Sequence, residues 1–279
     1  MKMSESTDTG DFHTIKHELE IIKRLDNTHV IKYMATCFTG HHIYIQMELC
    51  RCDLQELIEA KHRIFETEEE LDANDGHVYV EPNDLEYFIS VEMLREVAQG
   101  LQYLHDRQPP VFHRDLRPQN VFMVIDPDTN APVLKLGDFC LDKLPALALR
   151  HHRERMSARY TAPEVNYICD EKFAFKQSAD IYSLGMIVID LFNFDFTGKR
   201  RYERLKSIWE LAIALIEVKV AVRPTCNQLI DRVDDLDPMD TQLVLKQYTD
   251  YKEEFRDIEN KHLDKYVSHK IALLSQSVC

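Results

Sequence analysis

Glycine is scarce in this chain and widely spread, and that spacing limits what its backbone can hold. The seven glycines are Gly10, Gly40, Gly76, Gly100, Gly137, Gly185 and Gly198, and no pair lies closer than Gly185 and Gly198. A loop that cradles phosphate needs several glycines within roughly six to eight residues, because backbone N–H groups must reach the anion without a Cβ in the way. No stretch here qualifies. A glycine-rich dinucleotide crossover and a Walker-type loop are both excluded on that ground.

The chain carries 34 Lys and Arg against 48 Asp and Glu, a formal net charge of −14. Such acidity opposes bulk electrostatic binding to nucleic acid or to an anionic membrane surface. No run of about 18 apolar residues is present to span a bilayer. The opening MKMSESTDTGDFH lacks the apolar segment of a secretory signal. The cysteines (Cys37, Cys50, Cys52, Cys140, Cys169, Cys226 and Cys279) are odd in number, scattered and without a CxxC pair. That pattern disfavours a zinc ribbon or a disulfide framework and predicts a reducing compartment, the cytoplasm first, with the nucleus left open.

Hydrophobic periodicity orders the chain. Phe12, Ile15, Leu19, Ile22 and Leu25 recur at spacings of three and four, one stripe of a helix over 12–25. Residues 30–38 and 42–49 read as strands, the second rich in β-branched and aromatic residues after a turn at Gly40. A helix is predicted over 53–61 and a long amphipathic one over 85–106. The acidic stretch 66–84 reads as a surface loop. Short strands are predicted around 121–124 and 133–136, and helices dominate from 178 onward. Over 240–275 the apolar positions Tyr248, Tyr251, Phe255, Ile258, Tyr266, Val267 and Ile271 fit an amphipathic helix docked on the body or on a protein partner. A sheet-bearing N-terminal part before a larger helical part suggests α+β.

The segment most loaded with chemistry is Val111-Phe112-His113-Arg114-Asp115-Leu116-Arg117-Pro118-Gln119-Asn120, followed by Asp138-Phe139-Cys140. It matches H-R-D-L-x-x-x-N and then D-F-G, the last glycine replaced by Cys140. Thr161-Ala162-Pro163-Glu164 resembles A-P-E. Ser178-Ala179-Asp180-Ile181-Tyr182-Ser183-Leu184-Gly185 and Arg223-Pro224-Thr225 follow in order. On these motifs, across about residues 11–232, the chain resembles a eukaryotic protein kinase. Residues Tyr44–Cys50 most resemble the branch that phosphorylates translation initiation factor two.

The resemblance implies a bilobal fold: a partial N-lobe over 1–50, a C-lobe over 51–232 and a helical extension over 233–279. It implies ATP and Mg²⁺ as cofactors and protein Ser/Thr hydroxyls as acceptors. Asp115 would orient the substrate hydroxyl, Asn120 and Asp138 would hold Mg²⁺, and Arg117 would stand near the transferred phosphate. Glu18 matches the αC glutamate, Met47 the gatekeeper, Glu48 and Cys50 the adenine-binding hinge, and Asp53 the ribose contact. In the activation segment, Arg114 would receive a phosphate, Ser157 and Pro118 favour serine/threonine specificity, and Glu164 would pair with Arg223. His113 and Phe139 would pack in the column joining the lobes.

Two departures set further expectations. The lysine partner of Glu18 should lie about 17 residues upstream, at Met1 with Lys2 beside it, and the preceding glycine-rich turn is missing. This predicts a truncated N-lobe and impaired activity, with Lys2 a substitute only if a first strand is built around it. Cys140 in place of glycine restricts the backbone there. The alternative class is a pseudokinase, a non-catalytic module that regulates another protein.

Overall fold

The computed structural model describes residues 2–5, 19–39, 42–65, 70–71, 78–79, 83–138, 159–167, 177–196, 200–201, 205–236, 240–257 and 261–277. The first sheet holds β1 (Lys2–Glu5), β2 (Tyr33–Thr39) and β3 (His42–Met47) in the antiparallel order β1-β3-β2. Tyr33 and Ile45 are buried beneath it, against Leu19, Ile22 and Leu25 from the helical turn over 19–22 and the segment after it. β1 was not expected from its sequence. Its register sets Lys2 opposite Ile45 and Glu5 opposite His42.

The strand expected from residue 30 begins three residues later. Val30 and Ile31 are buried, but they leave this sheet and bond the second one, with the Ile31 amide donating to the Leu136 carbonyl at 2.8 Å. β3 ends at Met47, two residues short of the expected end, because Glu48 and Leu49 form the link into the larger lobe.

The second sheet holds β4 (Cys50–Asp53), β7 (Val121–Ile125) and β8 (Pro132–Leu136) in the order β4-β7-β8. Helix α1 (Leu54–Ile64) starts directly after β4, its N-terminus capped by Asp53, whose Oδ1 accepts the Glu56 amide at 3.0 Å. Within the stretch expected to be a loop, β5 (Glu70–Leu71) and β6 (Val78–Tyr79) pair, and β6 also pairs with β9 (Arg200–Arg201). Two-residue strands carry no alternation for sequence reading to find.

Helix α2 (Asp84–His105) is capped by Asn83, which accepts the Leu85 and Glu86 amides. Its Leu85, Ile89, Met93, Leu94, Val97, Leu101 and Leu104 are fully or almost fully buried. It packs with α4 (Gln177–Leu191), an apolar helix buried on most of its surface, around one continuous core. Short α3 (Pro163–Tyr167) precedes α4. Helices α5 (Lys206–Leu215) and α6 (Cys226–Asp234) follow it, and α6 opens on a reciprocal Thr225–Gln228 capping box.

The C-terminal stretch is three helices, α7 (Thr241–Asp250), α8 (Lys252–Asp257) and α9 (Lys261–Gln276), where one was expected. A single helix of that length would run about 50 Å at 1.5 Å per residue. Folding back lets Val244, Phe255, Leu263, Tyr266, Val267 and Ile271 all reach the core. The apolar face therefore meets the body of the protein itself, with α9 against α1, α2 and β8. Ile258 lies outside the described residues. Among the described residues no helix is long and apolar enough to cross a membrane.

Candidate active site

The β7–β8 hairpin brings the distant candidate residues together. Val121 pairs with Leu136 at its root, and one step further the Gly137 amide donates to the Asn120 carbonyl at 2.9 Å. Asn120, ending a 3-10 turn over Pro118–Asn120, is thus set beside the backbone that leads into Asp138. A Cβ on Gly137 would stand 2.8 Å from Ile31 Cγ1 and 3.0 Å from Phe122, so only glycine fits this approach.

Asn120 is buried and its amide nitrogen is spent on Asp115, donating to the carbonyl at 2.7 Å and to Oδ2 at 2.9 Å. Its amide oxygen then faces away from Asp115. Arg117 Nε stands 3.8 Å from the same Asp115 Oδ2. Asp138 and Arg114 both hold left-handed backbone conformations, at φ 59° and 70°. Non-glycine residues adopt that region at a cost, and it persists where surroundings hold it. The Asp138 amide is held by the Tyr33 hydroxyl at 3.1 Å, a tie between the two sheets.

The loop that carries Asp115 hangs from one buried carboxylate. Asp180, on α4, accepts the His113 amide and the Arg114 amide, each at 2.8 Å, and meets His105 Nε2 at 2.9 Å. Burial alone would push its pKa up, but the His105 bond and the surrounding positive charge and amides win and hold it below its usual value. His113 is fully buried, and burial lowers its pKa despite nearby carboxylates, so its ring stays neutral.

The hinge residues are anchored differently from one another. The Glu48 carboxylate accepts the Lys32 amide at 2.7 Å and the Lys135 ammonium at 3.0 Å through both oxygens, while its own amide donates to the Lys32 carbonyl. Met47 and Cys50 are half-buried beside it. Burial first, then the Glu48 charge, pushes the Cys50 thiol up to about 11; burial and nearby carboxylates push Cys52 to about 12. Both are packing thiols rather than nucleophiles. Asp53 serves as the helix cap described above. Cavities of about 670 and 710 Å³ flank residues 44–50, yet neither is lined by Asp115, Asn120 or Asp138.

In the larger lobe, Arg223 pairs with Glu164 as the motifs implied, and its Nη1 also donates to the Ser178 carbonyl. Glu18, Phe139, Cys140 and Ser157 lie outside the described residues. Sequence reading missed the Tyr33–Asp138, Lys135–Glu48 and His105–Asp180 ties. Their partners are separated by 105, 87 and 75 positions, and no local pattern joins them.

The described residues hold no cluster of three His, Cys, Asp or Glu side chains suited to a metal. Asp138 and Asn120, the residues the motifs imply for magnesium, each carry side-chain oxygen. Both are hard oxygen donors, and Mg²⁺ takes one or two protein ligands, filling the rest with water and phosphate.

The protein kinase domain model matches residues 1–271. The chain is 26% identical over 213 residues to the serine/threonine-protein kinase VIK of Arabidopsis thaliana, covering 74% of this chain and 42% of that protein. It is 23% identical over 237 residues to the serine/threonine-protein kinase ULK3 of Homo sapiens, covering 84% and 44%. A shorter match, 35% over 120 residues, joins it to the PTI1-like tyrosine-protein kinase 1 of Arabidopsis thaliana, covering 42% and 30%. The chain spans less than half the length of these relatives. With the α+β bilobal architecture, the Asp180-anchored loop and a family match over nearly all of its length, the chain belongs to the protein kinase family.

Proposed function

We propose that the chain transfers the γ-phosphate of ATP to serine and threonine hydroxyls of proteins. The observation that carries this is the meeting of Asp115, Asn120 and the backbone of Gly137–Asp138 at the root of one hairpin. Phosphoryl transfer asks a protein for positioning and charge stabilisation more than for covalent chemistry. Asp115, held by Asn120 and flanked by Arg117, orients the acceptor hydroxyl and takes its proton. Arg117 places a permanent positive charge beside that carboxylate, within reach of the phosphate in flight. Asp138 and Asn120 are the proposed magnesium ligands; the bound ion neutralises phosphate oxygens. Met47, Glu48 and Cys50 form the edge for adenine, and Asp53 stands at the ribose end.

Lys2, one residue from the position expected for the lysine partner of Glu18, lies on a described strand. Its strand pairs with β3, and its register opposite Ile45 sets it two residues from the level of Met47. We expect slow turnover of these 279 residues, because their glycines are not clustered as a phosphate-covering turn requires. Loss of one preorganised charge-stabilising contact typically costs about 10²–10³-fold in rate. Serine/threonine specificity is supported by Pro118 in the catalytic loop and by the names of two relatives. The four described cysteines are free thiols, which suits the cytoplasm.

The test is incorporation of radiolabelled γ-phosphate with Mg²⁺, followed by phosphoamino-acid analysis. Acceptors would include a generic basic protein and a serine peptide from translation initiation factor two, given the likeness of Tyr44–Cys50. Label on serine or threonine, lost in Asp115→Asn, is the expected result. Binding of Mg·ATP with no label transferred would favour the non-catalytic alternative.

A further inference from the structure

The C-terminal helix α9 reaches the strand that leads to Asp138 through one buried carboxylate. Glu96, midway along α2, is 6% exposed. Its Oε2 accepts the Leu134 amide at 2.9 Å and the Tyr266 hydroxyl at 3.2 Å, and its Oε1 accepts the Lys270 ammonium at 2.5 Å. Lys270 also stands 3.3 Å from Glu92 Oε2. Tyr266 and Lys270 are one turn apart on α9, so a single helix face presents both. Burial, then the Glu96 and Glu92 charges, holds the Tyr266 phenol well above its usual range, which keeps it a donor.

β8 is the edge strand of its sheet, and its outward polar groups need partners from elsewhere in the fold. The loop before β2 answers three of them. His29 O accepts the Leu136 amide at 2.9 Å, the Leu136 carbonyl accepts the Ile31 amide, and His29 Nδ1 meets the Leu134 carbonyl at 3.1 Å. Among the described residues, Glu96 Oε2 answers the Leu134 amide. Four residues on lies Asp138. Buried carboxylates are found paired, and Lys270 is the partner on its second oxygen.

We propose that Glu96, held by Lys270 and Tyr266, is a positioning residue for Asp138, so that the C-terminal helices belong to the metal-binding apparatus. The assignment rests on the kinase reading of Asp138. It predicts that loss of the Lys270 charge loosens β8 and weakens the response to Mg²⁺.

The test uses the whole chain and the variants Glu96→Gln, Lys270→Met, Lys270→Arg and Tyr266→Phe. Amide hydrogen exchange needs no turnover. Residues 132–138 should exchange about tenfold faster in Glu96→Gln and Lys270→Met, with α4 and α6 unchanged and protection restored in Lys270→Arg. In Mg·ADP titrations, the half-saturating Mg²⁺ should rise about tenfold in the same two variants, the scale seen when partners of metal ligands are lost. Exchange unchanged at 132–138, or raised throughout the chain in proportion, overturns the proposal. So does an unaltered Mg²⁺ response in a chain that binds Mg·ADP. If the wild-type chain binds no Mg·ADP, the kinase reading has failed, and the exchange result alone decides the role of Glu96. Should Glu96→Gln and Lys270→Met not fold, Tyr266→Phe removes one hydroxyl and must show smaller changes of the same sign.

Discussion

Arg223 holds Glu164 in two parallel bonds, Nη1 to Oε1 at 2.6 Å and Nη2 to Oε2 at 2.8 Å, with the guanidinium side chain fully buried. Removing one partner of such a pair leaves an uncompensated charge inside the lobe. Arg223→Met should therefore lower unfolding free energy by about 3–5 kcal/mol. Lysine cannot reproduce the fork, so Arg223→Lys should recover only part of that loss. Urea denaturation of the two variants checks this, and a loss below about 1 kcal/mol in Arg223→Met would count against the pair as a structural tie.

Asp115 and Asp138 should fail in different ways. Asp115→Asn should lower the rate by at least about 10²-fold while leaving Mg·ADP binding near the wild-type level. Asp138→Asn should weaken the Mg²⁺-dependent part of nucleotide binding as well as the rate. Calorimetric titration beside a phosphotransfer assay separates the two. Equal nucleotide affinities in wild type and Asp138→Asn would remove Asp138 from the proposed metal site.

Gly100 offers a test in which the sign of the effect is the answer. In a helix interior, Gly→Ala ordinarily stabilises by about 1 kcal/mol. Here a Cβ would lie 2.5 Å from the His29 carbonyl oxygen, the same oxygen that accepts the Leu136 amide. Gly100→Ala should thus destabilise, by roughly 1–3 kcal/mol for an overpacked contact against backbone. A raised melting temperature would show that α2 and the 25–31 segment are not in the contact described.

Stability should fall on mild acidification. Burial, then the neighbouring Lys61 charge, lowers His62 from its ordinary 6.5 to about 4, and its Nε2 is buried without a partner among the described residues. Between those two values the unfolded chain binds a proton that the folded chain does not, so stability rises with pH across that window and is lost as pH falls through it. His113 shifts in the same direction. The His62 share amounts to roughly 2 kcal/mol between about pH 7.5 and pH 5. His62→Asn should flatten the pH dependence of the urea midpoint by about that amount, and an unchanged slope would mean that another group governs it.

The motifs around Asp115, Asp138, Glu164 and Arg223 were legible because each is a local string whose chemistry constrains residue type and spacing. The long helix over Asp84–His105 was legible because its apolar stripe runs for six turns. What escaped reading was non-local or too short to be periodic. Lys2–Glu5 has one apolar residue, Met3, and so no alternation to read; it becomes a strand because β3 offers it an edge. The triple fold of the C-terminal stretch follows from core geometry that no stripe on a linear sequence encodes. Nothing local marks Glu96, since its partners Leu134, Tyr266 and Lys270 lie 38 to 174 positions away.

The outward N–H and C=O groups of Leu134 and Leu136 are all answered by this same polypeptide, so at these two residues β8 offers no open ladder to a second molecule. Exposed strand margins are where chains pair wrongly and aggregate. The strand that leads to Asp138 is therefore shielded at these two residues from pairing with a second copy, even when the protein is concentrated.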